Sequence, residues 1–229
     1  MLERSTHTQR SESFPVGALL AVTGGFLDAY TYLSRDHVFA NAQTGNMVLL
    51  GLRLSEGRWI EALHYLIPIF AFAAGVLLAE LIQNVCKKNE IFHWRQLILA
   101  IEFVILFLIG FIPDGVWNPY VNIAVSFVCA LQVESFRTIH GLTYATTMCT
   151  GNLRSGTEQL FFFLKSHERH HLTAALKYYA IIVVFIFGAS FGVLSTNALL
   201  ERAVWIPCAL LLLVFLLLHK STEDLNKNL

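Results

Sequence analysis

The sequence predicts an all-α membrane protein: six transmembrane helices arranged as two inverted three-helix repeats, each with a re-entrant Thr-Gly-Asn half-helix. Three observations carry that expectation. Of 229 residues, 55% are hydrophobic and only 14% are charged, against about 25% charged in a soluble domain. Apolar runs at 181–193 and 203–218 hold no charge at all, which suits a hydrocarbon core about 30 Å thick. Thr44-Gly45-Asn46 returns 106 positions later as Thr150-Gly151-Asn152, and an acidic residue, Asp28 or Glu134, stands 16 positions before each copy. Repeats set architecture before any local signal does. Matched interruptions in two halves of a membrane chain point to a binding site.

Taken in order, a polar tail at 1–13 precedes the first three-helix repeat, 14–112. A linker at 113–118 leads to the second repeat, 119–219, and a polar tail covers 220–229. The six spans are expected at 14–34, 59–85, 94–112, 119–139, 172–199 and 203–218. The first apolar run is too long for a signal-peptide core and no small-residue cleavage site follows it, so it reads as a retained helix. The interrupted segments, 38–54 and 142–164, contain the two motifs. They either span or re-enter. If they re-enter, with the N-terminus inside, 12 of the 16 Lys and Arg lie inside and 4 (Arg35, Arg53, Arg58, Arg202) outside; if they span, the split is 10 against 6. The positive-inside rule favours re-entry and six spans, with both termini cytoplasmic. A three-helix repeat is then necessarily inverted, because three is odd. The small residues Ala71, Gly75 and Ala79, and likewise Gly188, Gly192 and Thr196, fall on one helix face each, which permits close helix contact.

A re-entrant loop survives at depth only where protein or a wet cavity satisfies its backbone. Gly45 and Gly151 allow positive φ or close approach of another backbone. Thr44, Asn46, Thr150 and Asn152 offer oxygens to cap helices expected to begin within about two residues after each Asn. The half-helix N-termini then present free N–H groups and partial positive charge. This predicts a site for a small polar or anionic substrate, formed by Asp28, both motifs, Gln132 and Glu134, in which Asp28 alternates between protonated and ionised forms. A charge at a helix centre costs about 2.5–3.5 kcal/mol to insert, so Asp28 should face the interior. An ion pair with Arg137 is the plain alternative for Glu134. Glu80 and Glu102 are placed to snorkel toward, or pair in, the basic loop at 87–95.

Other chemistry is not signalled. The cysteines Cys86, Cys129, Cys149 and Cys208 form no CxxC and read as small hydrophobes. The run Ser166-His167-Glu168-Arg169-His170-His171 reads as a solvated loop, not a metal site. Zero net charge and the absence of a basic aromatic stripe exclude nucleic acid. No nucleophile elbow, HExxH, P-loop or GxGxxG occurs, so no enzyme, cofactor or metal is expected.

Gly24-Gly25-Phe26-Leu27-Asp28-Ala29, then Phe39, then the run from Thr44 to Gly51 resemble the first-repeat signature of YoaK-type proteins, a family of uncharacterised, largely bacterial integral membrane proteins. Ala130-Leu131-Gln132, followed by the run from Thr146 to Asn152, resembles their second-repeat signature. The resemblance runs from about Val16 to Leu218. The family commonly reads Gly-Leu-Gln-Asn-Ala where this chain has Ala130-Leu131-Gln132-Val133-Glu134, which makes Glu134 a peculiarity of this chain. The resemblance implies the fold and a multi-pass place in the cytoplasmic membrane, but no activity. Two functions follow from the residues: a small-molecule or ion transporter, or a membrane structural or regulatory component without flux.

Overall fold

The computed structural model describes residues 12–87, 94–139, 142–144, 146–147 and 149–226. Most of residues 1–13, residues 88–93 and the last three residues lie outside them. The chain is helical: α1 (Phe14–Ser34), α2 (Gln43–Ser55), α3 (Trp59–Lys87), α4 (Trp94–Ile109), α5 (Asn118–Ser135), α6 (Cys149–Ser166), α7 (Arg169–Leu199), a 3-10 turn (Leu200–Val204) and α8 (Trp205–Asn226). Between α5 and α6 a short antiparallel pair joins β1 (Thr138–Ile139) to β2 (Leu142–Thr143).

Three stretches among the described residues are long and apolar enough to cross a membrane: Phe14–Ser34, Trp59–Cys86 and Arg169–His219, the last holding both α7 and most of α8. α4 and α5, with 16 and 18 residues, reach about 24 and 27 Å at 1.5 Å per residue. Large apolar side chains such as Phe70, Leu77 and Leu194 lie exposed on α3 and α7, the face a bilayer would cover.

α1 begins at Phe14 as expected because Pro15 costs nothing in a first turn, where its missing N–H would have no partner. Pro119 does the same for α5. α1 packs along α7, and α3 along α5. The small-residue faces read from the sequence are the contact surfaces: Gly188 and Gly192 meet the backbone of Val22 and Phe26, and Gly75 meets the carbonyl of Phe127. A core of Leu20, Phe26, Leu106, Val125, Val128 and Leu211 ties α1, α4, α5 and α8 together. Trp205 lies in a seat left by Gly110 and donates to the carbonyl of Phe107 at 3.1 Å, joining α8 to α4.

Several boundaries differ from expectation. α5 stops at Ser135, where Phe136 leaves the helix and its N–H closes onto the carbonyl of Gln132. Residues 138–139 and 142–143 then pair as the two short strands. α7 begins at Arg169, so His170 and His171 lie in its first turn instead of a loop. α6 is also longer than α2, at 18 residues against 13. α8 runs on to Asn226, into the expected polar tail.

Candidate binding cavity

Asp28 organises the site. After α1 the chain reverses at Asp36 and His37, two residues in succession with φ near 60°. Left-handed non-glycine residues cost about 1–3 kcal/mol each and persist only where surroundings hold them. The reversal lays residues 38–42 back along α1. There Asp28 Oδ1 accepts the N–H of Asn41 at 2.6 Å and of Ala42 at 3.3 Å. Asn41 Nδ2 donates to the carbonyl of Gly24 at 3.2 Å. Asp28 thus satisfies the backbone just ahead of α2 from across the fold, which a side chain at an N-cap does locally.

That arrangement corrects the local reading of Thr-Gly-Asn. α2 starts at Gln43 and α6 at Cys149, three residues before Asn46 and Asn152, so each motif lies inside a first helical turn. Ala42, the N-cap of α2, makes no side-chain cap bond. Asn46 is fully buried and works as a clamp. Its Oδ1 accepts the N–H of Phe39 at 2.9 Å, and its Nδ2 donates to the Phe39 carbonyl at 2.8 Å and to Gln43 Oε1 at 2.9 Å. Neither Gly45 nor Gly151 has positive φ. A Cβ on Gly45 would press into the Phe39 ring at 2.8 Å, whereas one on Gly151 would meet nothing within 4 Å.

The two halves meet in a cavity of about 520 Å³. Asp28 and Tyr32 of α1 line it together with Phe39, Thr44, Thr150 and Gly151. Asn46 and Asn152 are buried beside it without contributing to its wall. Two residues that the sequence did not single out also line it: Asn41 and Thr147 are 4% and 5% exposed, and Asn41 Oδ1 and Thr147 Oγ1 have no hydrogen-bond partner among the described residues. Their signal was the polar run from Asn41 to Asn46 and the threonine pair preceding the second motif. Tyr32 stacks on Phe39 with ring centroids 4.8 Å apart.

Gln132 and Glu134 stand elsewhere. Gln132 is buried on α5 and donates to the carbonyl of Leu20 at 3.4 Å. Glu134 pairs with Arg137 at 2.7 Å in a separate cleft of about 300 Å³ that Glu80 and Arg95 also line. The acidic symmetry in sequence therefore has no counterpart in space. Glu102 does not snorkel. It is fully buried, both its oxygens lack a partner among the described residues, and it packs amid the α4, α5 and α8 core. Arg35, buried at the end of α1, was also not singled out by the sequence as a structural centre.

Glu168, His170 and His171 bring ligand atoms within 4.8 Å of one another. Glu168 and His170 are exposed, and His171 Nδ1 lies 2.8 Å from Gln159 Oε1. All four cysteines are free; Cys129 and Cys208 are buried, and Cys86 and Cys149 are partly so.

Residues 16–217 match a family described as Protein of unknown function (DUF1275). The chain belongs to the DUF1275 family. It is similar to the UPF0700 transmembrane protein YoaK of Bacillus subtilis (strain 168), at 27% identity over 202 residues that cover 85% of this chain and 88% of that protein. No solved structure matches it. The YoaK-type resemblance read from the motifs is thereby shown, and this DUF1275 chain is a multi-pass transmembrane protein.

The motifs' unequal packing in this DUF1275 chain makes a prediction. Gly45→Val should lower stability by about 1–3 kcal/mol, because Phe39 is held at its own backbone and its ring must still move. Gly151→Val should melt within about 0.5 kcal/mol of the parent. Thermal unfolding in detergent reads both. Equal losses would mean that the two glycines sit in equivalent tight contacts.

Proposed function

We propose that this DUF1275 protein is a permease of the cytoplasmic membrane, moving a small molecule or ion through the cavity between its two Thr-Gly-Asn segments. The observation that carries the reading is that one cavity takes Asp28 and Thr44 from the first half and Thr150 and Gly151 from the second. Six spans, with both termini cytoplasmic and α2 and α6 re-entrant, give the inverted arrangement such a cavity serves. The packing pairs support it. α1 lies on α7 as α5 lies on α3, α2 on α3 as α6 on α7, and α4 on α5 as α8 on α1, while α4 and α8 meet each other. Exchanging the halves leaves this set unchanged. Gly188 meets Val22 and Gly75 meets Phe127, and Phe127 adjoins the position 106 residues beyond Val22.

A second reading, a membrane component without flux, is favoured by the Asn46 clamp, which leaves that amide no hydrogen for a substrate. Cysteine accessibility separates the two. In a variant freed of its four native cysteines, Thr44→Cys and Thr150→Cys are exposed to a membrane-impermeant maleimide in right-side-out and inverted vesicles. A permease should label from both sides, each position responding to orientation. Labelling from one side only, in every condition, would sink the permease reading. Gly115→Cys, at the α4–α5 turn, should label from outside and Lys87→Cys should not; the reverse would sink the six-span topology.

A further inference from the structure

We propose that the cavity selects a small organic cation, an amine or ammonium group carried on an apolar body. The proposal takes its site from the permease reading but changes the ligand that the sequence suggested. Among the described residues the lining holds one charged side chain, Asp28, and no Lys, Arg or His. An anion would find its obvious place taken, because Asp28 itself occupies the position ahead of α2 and accepts the N–H groups of Asn41 and Ala42. Further along, the N–H groups of Gly45 and Asn46 close onto the carbonyl of Ala42 at 2.8 and 3.3 Å. The first turn of α6 does face the cavity. A helix N-terminus favours negative charge by about 0.3–1 kcal/mol when exposed and up to about 2 kcal/mol when partly buried, set against the repulsion of bringing an anion beside a carboxylate.

The polar character of the wall rests on Asp28. Asn41 Oδ1 and Thr147 Oγ1, which have no partner among the described residues, are themselves buried behind the wall and offer a ligand almost no accessible surface. The rest of the wall includes the rings of Tyr32, Phe39, Phe72 and Phe185, whose faces attract a cation and whose area takes up an apolar body. A volume of about 520 Å³ falls within the usual range for small-molecule sites.

The test uses the full chain in nanodiscs and three probes of matched shape: benzylammonium, benzyl alcohol and benzoate. Calorimetric titration and melting temperature should register benzylammonium, register benzyl alcohol at least about tenfold more weakly, and not register benzoate. Asp28→Asn should weaken benzylammonium about tenfold or more. Because Asp28 also holds the backbone ahead of α2, that variant can fail to fold, so two others carry the test. Phe72→Leu takes a ring off the wall and should weaken binding severalfold. Gly151→Leu fills the cavity from a position with open space around it and should abolish binding while leaving the melt intact. Benzoate binding as tightly as benzylammonium overturns the proposal, as does the absence of benzylammonium binding, or binding indifferent to Gly151→Leu. Binding is read without flux. A cation that binds but never crosses a liposome bilayer overturns the permease reading alone, and an anion that binds and crosses overturns this proposal alone.

Discussion

Gly25→Val and Gly188→Val should each leave little folded protein, with a loss on the order of 3 kcal/mol. A Cβ at Gly25 would run into the carbonyl of Phe185 and lie 2.9 Å from the N of Ala189; at Gly188 it would run into the carbonyl of Val22 and lie 2.7 Å from its Cα. These neighbours are backbone, so no rotamer change relieves the clash, and α1 and α7 must separate along their seam. In a bilayer the helices are held by such close packing, since lipid tails compete equally for apolar side chains. Monodispersity on size exclusion and a detergent melt read the outcome. Gly51→Ala on α2, where a Cβ meets nothing within 4 Å, serves as the control and should melt at or above the parent. A Gly25→Val protein with the parent's midpoint would show that α1 and α7 do not meet backbone to backbone at this seam.

Arg35→Met should cost a similar amount, on the order of 3 kcal/mol, for a different reason. The guanidinium is fully buried. Its Nη2 donates to Tyr30 Oη and to the carbonyl of Ile112, each at 2.8 Å; its Nη1 donates to Asn118 Oδ1 at 3.0 Å and to the carbonyl of Pro113 at 3.1 Å. Asn122 Nδ2 returns a bond to the Arg35 carbonyl at 2.7 Å. One side chain therefore fastens the end of α1 to the end of α4 and the start of α5. Methionine fills much of the volume but leaves the buried Tyr30 Oη and Asn118 Oδ1, and the part-buried carbonyls of Ile112 and Pro113, without the guanidinium donor. Arg35→Lys should recover less than half of the loss, because a point charge with three donors cannot copy the planar fork. Protease sensitivity of the 110–118 link, with the melt, checks the order parent, Lys, Met. Equal stability of Lys and parent would sink the fork argument.

The class of the protein, the extent of α1 and the glycine faces of α3 and α7 were legible in the sequence. Each rests on a local quantity: the charge content of a run, a proline in a first turn, or small residues four apart. The two Thr-Gly-Asn motifs also come together in space, since Thr44, Thr150 and Gly151 line a single cavity. Their roles were not legible. The sequence suggested capping by Thr and Asn, but the backbone ahead of α2 is satisfied by Asp28, 13 residues earlier. Asn46 is spent on Phe39, and Glu134, equal to Asp28 in spacing, pairs locally with Arg137.

By itself the sequence determined that this chain inserts in a membrane as apolar helices, because insertion answers to summed hydropathy over about 20 neighbouring residues, and it showed the motif Thr-Gly-Asn twice. Only the tertiary structure decided which polar groups are answered. Arg35 and Asn118 stand 83 residues apart and meet at 3.0 Å; among the described residues, Asn41 Oδ1 and Thr147 Oγ1 find no partner, and Glu102 is buried with neither oxygen bonded. Hydropathy is a property of each residue and sums along the chain. A hydrogen bond needs two atoms brought within about 3 Å, and packing of the helices selects that pairing.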